Sequence, residues 1–280
     1  MKIINGNTYD EERALYALTD AKVINCTFAG ARDGESALKE ARGVEVEDCT
    51  FNLRYPFWHT VDFTVSGCRL GEGTRAAVWY AQNGIFKNCD IRGVKFLREC
   101  KNITLSGIIA DSVEFGWRSE GITIEDSEIN SQYFLFECKD VSVRNLKMTG
   151  KYSFQYIENM TVEDSVLDTK DAFWHTKNVT VKNSVVKGEY LGWYSDGLTL
   201  INCKITGTQP LCYCKNLKLV DCTMENTDLS FEYSEVEATV NGNIESVKNP
   251  KSGKITADSI GEIITEDSVM ETNCEIAVNK

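Results

Sequence analysis

The residues best suited to chemistry in this sequence fall into one evenly spaced file. Counting back three positions from a recurring Asn, Asp or Gly gives nine candidate ligand-binding residues: His59, Tyr80, Glu99, Arg118, Glu137, Tyr156, His175, Tyr194 and Tyr213. Both histidines of the protein belong to this file. Aromatic rings beside polar and charged groups can bind an oligosaccharide or a protein partner.

Two carboxylates in the file raise the question of hydrolysis. Glu99 and Glu137 are two repeats apart, which at ~4.8 Å per stacked strand is about 9.6 Å. That is the upper edge for the carboxylates of inverting glycosidases. Arg118 lies between them and would keep both ionised, which disfavours a general acid. As an alternative to either role, the three residues form an alternating-charge ladder that only pairs neighbouring strands.

The file belongs to a repeat of nineteen residues. A bend residue of type Asn, Asp or Gly recurs at Asn25, Asp48, Gly67, Asn88, Gly107, Asp126, Asn145, Asp164, Asn183, Asn202 and Asp221. A second such column precedes it by five residues: Asp20, Gly43, Asp62, Asn83, Asn102, Gly121, Asp140, Asn159, Asn178, Gly197 and Asn216. These residue types tolerate left-handed backbone, so each repeat has two sharp bends.

The segments between the bends alternate apolar and polar residues, which is typical of strands. Nineteen residues leave no room for a crossover helix, and the hexapeptide signature of left-handed solenoids is missing. We therefore predict an all-β fold, a right-handed parallel β-helix in one domain over residues 1–280. Residues 1–19 would form a cap with a short helix at 9–18, since Thr8 and Glu11 match a capping box. Regular turns would follow over 20–233, and shorter, more polar turns over 234–280.

Neighbouring residues on a strand face opposite sides. We expect the candidate file to face solvent and the file before it, which holds all five tryptophans, to face inward. Six of the eleven cysteines occupy the position directly after the bend, in a column that also accepts Ile108 and Leu146. Cysteine in such a column behaves as a small hydrophobic residue, so we predict buried, reduced thiols.

Composition limits the partners. A net charge of −12 disfavours nucleic acid. No run of eighteen apolar residues is present, and the polar start of the chain does not resemble a signal peptide, so we expect a cytoplasmic protein without a membrane contact. The two histidines and the cysteines have no metal-ligand spacing, and no metal or cofactor is expected.

The bend columns and the one-turn repeat resemble the pectin-lyase-like right-handed β-helix superfamily over nearly the whole chain. The segments 33–40 (DGESALKE), 53–59 (LRYPFWH) and 249–253 (NPKSG) further resemble an uncharacterised bacterial family of about this length, a domain of unknown function. That second resemblance implies no activity.

Enzymes of the superfamily imply motifs that can be checked. Of the polygalacturonase motifs only Asn226-Thr227-Asp228 occurs, and no Asp cluster for the Ca²⁺ of pectate lyases is present. The pectinase machinery is therefore missing. Our first hypothesis is a glycan- or partner-binding or scaffold protein that uses the exposed file. The alternative is a carbohydrate-active enzyme, a glycoside hydrolase or one similar to a polysaccharide lyase, with a non-standard site in the same file.

Overall fold

The computed structural model describes residues 1–30 and 35–279. Asp33 and Gly34, the first residues of the resembling segment 33–40, lie outside this part. The chain divides into two compact units, Met1–Ser142 and Val143–Lys280, and each is described by itself. That all 280 residues form one domain stays a prediction.

The first unit consists of short parallel strands that pair from one turn to the next. They are β1 (Lys2–Asn5), β2 (Thr8–Tyr9), β3 (Thr19–Ile24), β4 (Thr27–Phe28), β5 (Arg42–Glu47), β6 (Thr50–Phe51), β7 (Phe57–Trp58), β8 (Val61–Ser66), β9 (Arg69–Leu70), β10 (Val78–Trp79), β11 (Gln82–Lys87), β12 (Asp90–Ile91), β13 (Leu97–Arg98), β14 (Lys101–Ser106), β15 (Ile109–Asp111) and β16 (Glu120–Gln132). One ladder runs β1-β3-β5-β8-β11-β14-β16. A second runs β2-β4-β6-β9-β12-β15-β16, and a third joins only β7, β10 and β13.

The second unit continues the same pattern. Its first strand, β17 (Lys139–Lys151), begins four residues before the start of this unit at Val143. The other strands are β18 (Glu158–Glu163), β19 (Val166–Lys170), β20 (Lys177–Lys182), β21 (Val185–Lys187), β22 (Asp196–Ile201), β23 (Lys204–Thr206), β24 (Leu217–Glu225), β25 (Glu235–Lys248), β26 (Ser252–Ile264) and β27 (Glu275–Val278). One ladder runs β18-β20-β22-β24-β25-β26-β27, and the other runs β17-β19-β21-β23-β24.

The pairing register confirms the nineteen-residue turn. Ile103 lies opposite Ile122, and Val179 lies opposite Leu198. Every strand pair named above is parallel, and the described residues make about 14 turns. The all-β parallel solenoid is therefore confirmed. Its right-handed sense, which the register does not define, stays a prediction.

Both bend columns are confirmed at every position. All twenty-two residues have φ between +47° and +74°. At Gly107 the reason for glycine is steric as well, because a Cβ would meet the side-chain oxygen of Asn88 in the turn before it. Asn and Asp fill the remaining positions, since their short side chains tolerate this conformation.

The predicted helix at residues 9–18 is wrong. Arg13 and Ala17 have left-handed φ values of 55° and 52°, which no right-handed helix accommodates. Their backbone N–H groups donate to the next turn instead, Arg13 to the Glu35 carbonyl at 2.9 Å and Ala17 to the Lys39 carbonyl at 2.9 Å. The segment is an ordinary solenoid turn, because pairing with its neighbour satisfies more backbone groups than one isolated helical turn would. No helix in the described part of the chain is long and apolar enough to cross a membrane.

The interior holds stacked apolar side chains, among them the parallel pair Phe28–Phe51 at 4.6 Å and, in the second unit, Phe154–Phe173 at 5.1 Å. Ten of the eleven cysteines are buried as predicted, and Cys274 is half-buried. The N–H of Cys26 donates to the sulfur of Cys49 at 3.3 Å.

Replacing Gly107 by alanine should destabilise the protein by about 1–2 kcal/mol, because a Cβ is disfavoured at left-handed φ and here also meets Asn88. Equilibrium denaturation measures the change. Ser106→Ala, one residue earlier on a regular strand, is the matched control and should have little effect. Equal stabilities of the two variants would contradict the role assigned to the bend.

We also expect the thiols to be free, and the ten buried ones to be protected from reagents in the folded protein. At Cys203 this protection depends on burial alone, because a hydrogen bond with Cys222 lowers its pKa to about 7. Burial raises the pKa of the Cys89 thiol to about 11 and that of Cys100 to about 12. Thiol titration should find close to eleven groups in denaturant, while in native buffer Cys274 should react first. A denatured count of about half that number would show that disulfides form.

Candidate functional site

The nine candidate residues lie on the outside of the solenoid turns. We call them the outer row: His59, Tyr80, Glu99, Arg118 and Glu137 in the first unit, and Tyr156, His175, Tyr194 and Tyr213 in the second. Each is exposed or half-buried. The exposure expected from the sequence is therefore present at every position.

The backbone of the outer row is a bend, which sequence reasoning missed. All nine residues have left-handed φ values between 52° and 60°. A further left-handed column precedes them by four residues: Tyr55, Ala76, Lys95, Glu114, Tyr133, Tyr152, Asp171, Tyr190 and Gln209. Bulky residues rarely adopt this conformation, and such strain is characteristic of functional surfaces. Neither position is filled by Asn, Asp or Gly throughout, so residue type does not indicate these bends. The constant spacing of the repeat was the one signal in the sequence that could have located them.

The five tryptophans of the file before the outer row also lie on the outside, which corrects the expectation that they face inward, whereas Gln155, Cys212 and Phe231 of the same file are buried. The bend at each outer-row residue interrupts the strand alternation, so that the tryptophan and the next ring lie side by side. Trp58 and His59 have centroids 5.8 Å apart with planes at 21°, and Trp79 and Tyr80 are 5.4 Å apart at 15°. All five tryptophans are half-buried.

In the second unit the outer row forms a continuous stack of rings. We call Tyr156, His175, Tyr194 and Tyr213 the tyrosine ladder. Successive centroids are 4.9, 5.0 and 4.9 Å apart, with planes within 13° of parallel. His175 and Tyr194 therefore have both faces covered by neighbours. Ring edges, and not ring faces, are what these two side chains offer to a ligand.

A second layer supports the ladder. Trp174 and Trp193 stack at 5.5 Å and 7°. Their indole N–H groups donate to the carbonyls of Tyr190 at 2.6 Å and Gln209 at 2.7 Å. Each hydrogen bond ties a half-buried ring to the backbone of the next turn, so the ladder rests on fixed side chains.

The far end of the ladder meets a carboxylate. The Tyr213 hydroxyl donates to Glu232 at 3.4 Å, and Lys248 pairs with the other Glu232 oxygen at 2.8 Å. Burial, followed by the negative charge of Glu232, raises the pKa of Tyr213 to about 12. The phenol hydroxyl at this end of the ladder is therefore already engaged by Glu232.

The first-unit part of the outer row is charged. His59 and Tyr80 stack at 5.2 Å, and a hydrogen bond to Glu99 raises the pKa of Tyr80. Arg118 Nε donates to Glu137 Oε2 at 2.8 Å, and this contact raises the pKa of Arg118. The guanidinium thus occupies one oxygen of the Glu137 carboxylate, which argues against this carboxyl as a general acid.

Two grooves in the described part of the chain lie apart from the outer row. One groove lies against Asn216, Glu235 and Gly253, and another against Asn52 and Gly73. Within residues 1–30 and 35–279, no three His, Cys, Asp or Glu side chains are placed to hold a metal ion. The row is thus a surface feature built from rings and ion pairs.

Comparison with known proteins places the chain in a family. Residues 2–277 match the family described as "Protein of unknown function (DUF3737)". The protein belongs to the DUF3737 family. This confirms the resemblance to a domain of unknown function that the three segments carry. No curated protein matches the chain.

Solved structures are similar only at the level of the fold. The A-module of the mannuronan C-5 epimerase AlgE6 from Azotobacter vinelandii has a TM-score of 0.48 at 13% identity, covering 94% of this chain and 90% of the module. The Streptococcus pneumoniae surface protein and adhesin PfbA has a TM-score of 0.46 at 8% identity, covering 98% and 91%. The parallel solenoid itself rests on the strand register given above.

Replacing Arg118 by alanine should leave the fold intact. Its side chain is 59% exposed, and an ion pair in water contributes little. The thermal midpoint should move by no more than about 2 °C. Thermal unfolding followed by circular dichroism measures this, with Lys101→Ala, from another exposed pair, as the control. Unfolding of Arg118→Ala at ambient temperature would mean that the row is a structural network.

Proposed function

We propose that this DUF3737 protein is a non-catalytic binding protein whose tyrosine ladder contacts an extended glycan. The observation that carries the proposal is the regular stack of four rings in the second unit, with centroids 4.9–5.0 Å apart and edges toward solvent. Tyr156 and Tyr194 remain 48% and 46% exposed.

The chemistry of the ladder suits hydroxyl groups. A phenol hydroxyl and a neutral imidazole each donate and accept hydrogen bonds, as a sugar hydroxyl does. Because the faces of His175 and Tyr194 are covered, the glycan would lie along the ring edges and not flat on one ring. A chain running along the ladder meets a similar group at every turn, so a polymer of repeating units is the matching ligand.

Binding is favoured over hydrolysis for a specific reason. Arg118 Nε donates to one Glu137 oxygen at 2.8 Å, so this carboxylate already has a partner, whereas glycoside hydrolysis needs a carboxyl free to protonate the leaving group. The ladder itself holds no carboxylate among its four members. A carbohydrate-active enzyme would need its acid elsewhere.

The test is a length series of oligosaccharides, from monosaccharide to hexasaccharide, chosen from the hits of a glycan array. Affinity measured by calorimetry should rise with each unit and level off near the tetrasaccharide, since the ladder has four rings. Tyr194→Phe keeps the ring and removes one hydroxyl, and should weaken binding about fivefold. Tyr16→Phe, an exposed tyrosine outside the row, is the matched control.

Two results would contradict the proposal. Affinity for array hits that is the same in Tyr194→Phe, Tyr194→Ala and wild type would exclude the ladder as the binding surface. An array without any hit would reject the glycan, and the tyrosine-rich surface would then suit a protein partner, because tyrosine and tryptophan are enriched in protein interfaces.

A further inference from the structure

A second feature, in the first unit, is independent of the tyrosine ladder. The strands β7, β10 and β13 form a sheet of their own, in which Trp58 lies opposite Trp79, and Trp79 opposite Arg98. We call these three side chains the donor patch. All three are half-buried on the outer side of the turns, next to the outer row.

Each member of the donor patch has a buried N–H group without an acceptor. The atoms are Trp58 Nε1, Trp79 Nε1 and Arg98 Nε, and no hydrogen-bond partner for them exists among the described residues. Buried polar groups are nearly always paired, so an unpaired one requires an explanation. Here three unpaired donors are consecutive members of one file.

The other tryptophans show that the solenoid can satisfy this group. In the same unit, Trp117 Nε1 donates to the Tyr133 carbonyl, sixteen residues ahead, at 2.8 Å. Trp174 and Trp193 make the equivalent bond in the second unit. Trp58 and Trp79 stack on each other at 5.6 Å and 15°, and neither makes it. The missing bonds are therefore specific to the donor patch and not a general property of the file.

Cations border the patch. The Lys39 ammonium lies 4.0 Å from the centroid of the Trp58 ring. At the other end, Lys95 and Arg98 share a single oxygen of Glu114, at 2.9 and 3.2 Å, so that two positive charges face one carboxylate. Two glutamates follow these cations directly in the sequence, Glu40 after Lys39 and Glu99 after Arg98, and Glu99 is engaged by a hydrogen bond with Tyr80.

The chemistry of these groups selects the ligand. Indole N–H, guanidinium and ammonium groups donate hydrogen bonds and cannot accept them. A matching ligand must therefore supply acceptors alone, and an oxyanion does so while also pairing with the cations. Hydroxyl ligands, which bring donors of their own, fit this patch less well.

We infer that the donor patch binds an oxyanion, a carboxylate, sulfate or phosphate group that is either free or carried by a sugar. The anion pairs with Lys39 and accepts hydrogen bonds from the two indoles. The Lys39 side chain lies over the ring of Trp58 and is flexible, so it can move aside as the anion enters. Tyr55, tilted against both indoles at 5.9 and 6.0 Å, forms the side wall.

The experiment uses the full chain and defined probes at constant ionic strength set with chloride. Phosphate, sulfate and acetate test free ions, glucose 6-phosphate and glucuronate test anions carried by a sugar, and glucose is the neutral control. Tryptophan fluorescence and the thermal midpoint should respond to at least one anion and not to glucose. Tighter binding of the sugar anions than of the free ions would mean that the ligand carries its anionic group on a sugar. Equal binding would mean that the free ion is the ligand.

Variants locate the response. Lys39→Met and Trp79→Phe should each weaken anion binding by about tenfold, the value expected for a charge-assisted contact. Trp174→Phe, whose indole already has a carbonyl partner in the second unit, should bind like wild type. Equal affinity of Trp79→Phe and wild type, or no response to any anion, would overturn the inference.

A stability measurement without ligand tests the premise. Trp79→Phe removes an unpaired donor, whereas Trp117→Phe removes a paired one and with it one hydrogen bond to the Tyr133 carbonyl. The midpoint in denaturant should therefore fall less for Trp79→Phe than for Trp117→Phe. A fall as large as that of Trp117→Phe would mean that the Trp79 indole has a partner, and the inference would be wrong.

Discussion

The structure depends on backbone bends in the left-handed conformation. Each turn closes on itself only where the chain reverses direction within one residue, and four columns of positive φ supply these reversals, joined by a fifth that runs from Gly116 to Phe231. Two columns consist of Asn, Asp and Gly, whose preference for this conformation carries little strain. Their side chains also bond along the column, as Asn102 does to Asn83 at 3.1 Å and Asn202 to Asn183 at 2.9 Å.

Fixed bends place like residues over like residues. Once the turn length is nineteen, a residue meets its counterpart at the spacing of neighbouring strands, about 4.8 Å. Aromatic rings at that distance stack face to face, which the pairs Tyr156–His175 and Trp174–Trp193 show. The strand spacing that aligns the rings in one exposed file also stacks them on each other, so that each ring covers the face of its neighbour. A solenoid surface of this kind therefore presents edges and hydroxyls to a ligand, and not flat aromatic platforms.

The parts of this arrangement that residue types encode could be predicted. The Asn, Asp and Gly columns carry their own conformational preference, and the column that alternates Cys with Ile108 and Leu146 marks an interior position. The bends at Glu99 or Tyr194 carry no such mark, because glutamate and tyrosine adopt left-handed φ only when the surrounding turns impose it. Because the bends at His59 and Tyr80 could not be foreseen, the rule that neighbouring strand residues face opposite sides gave the wrong side for Trp58 and Trp79. The capping-box pattern at Thr8 predicted a helix that does not form. The pattern reflects only neighbouring residues in the sequence, whereas the backbone of Arg13 and Ala17 bonds to the next turn.

A solenoid lets the chemistry of one file vary from turn to turn, because each turn contacts only its neighbours. The register of the strands holds whether the outward position carries Trp79, Arg98 or Phe136, since the backbone bonds and the inward residues define it. In the first unit this position carries three N–H donors without an acceptor, on Trp58, Trp79 and Arg98. In the second unit, the equivalent indoles are paired and the outer row is almost uncharged. The backbone is thus the part of the repeat that stays the same from turn to turn. The fold alone does not explain the side chains that differ between equivalent positions, above all the unpaired donors of Trp58 and Trp79.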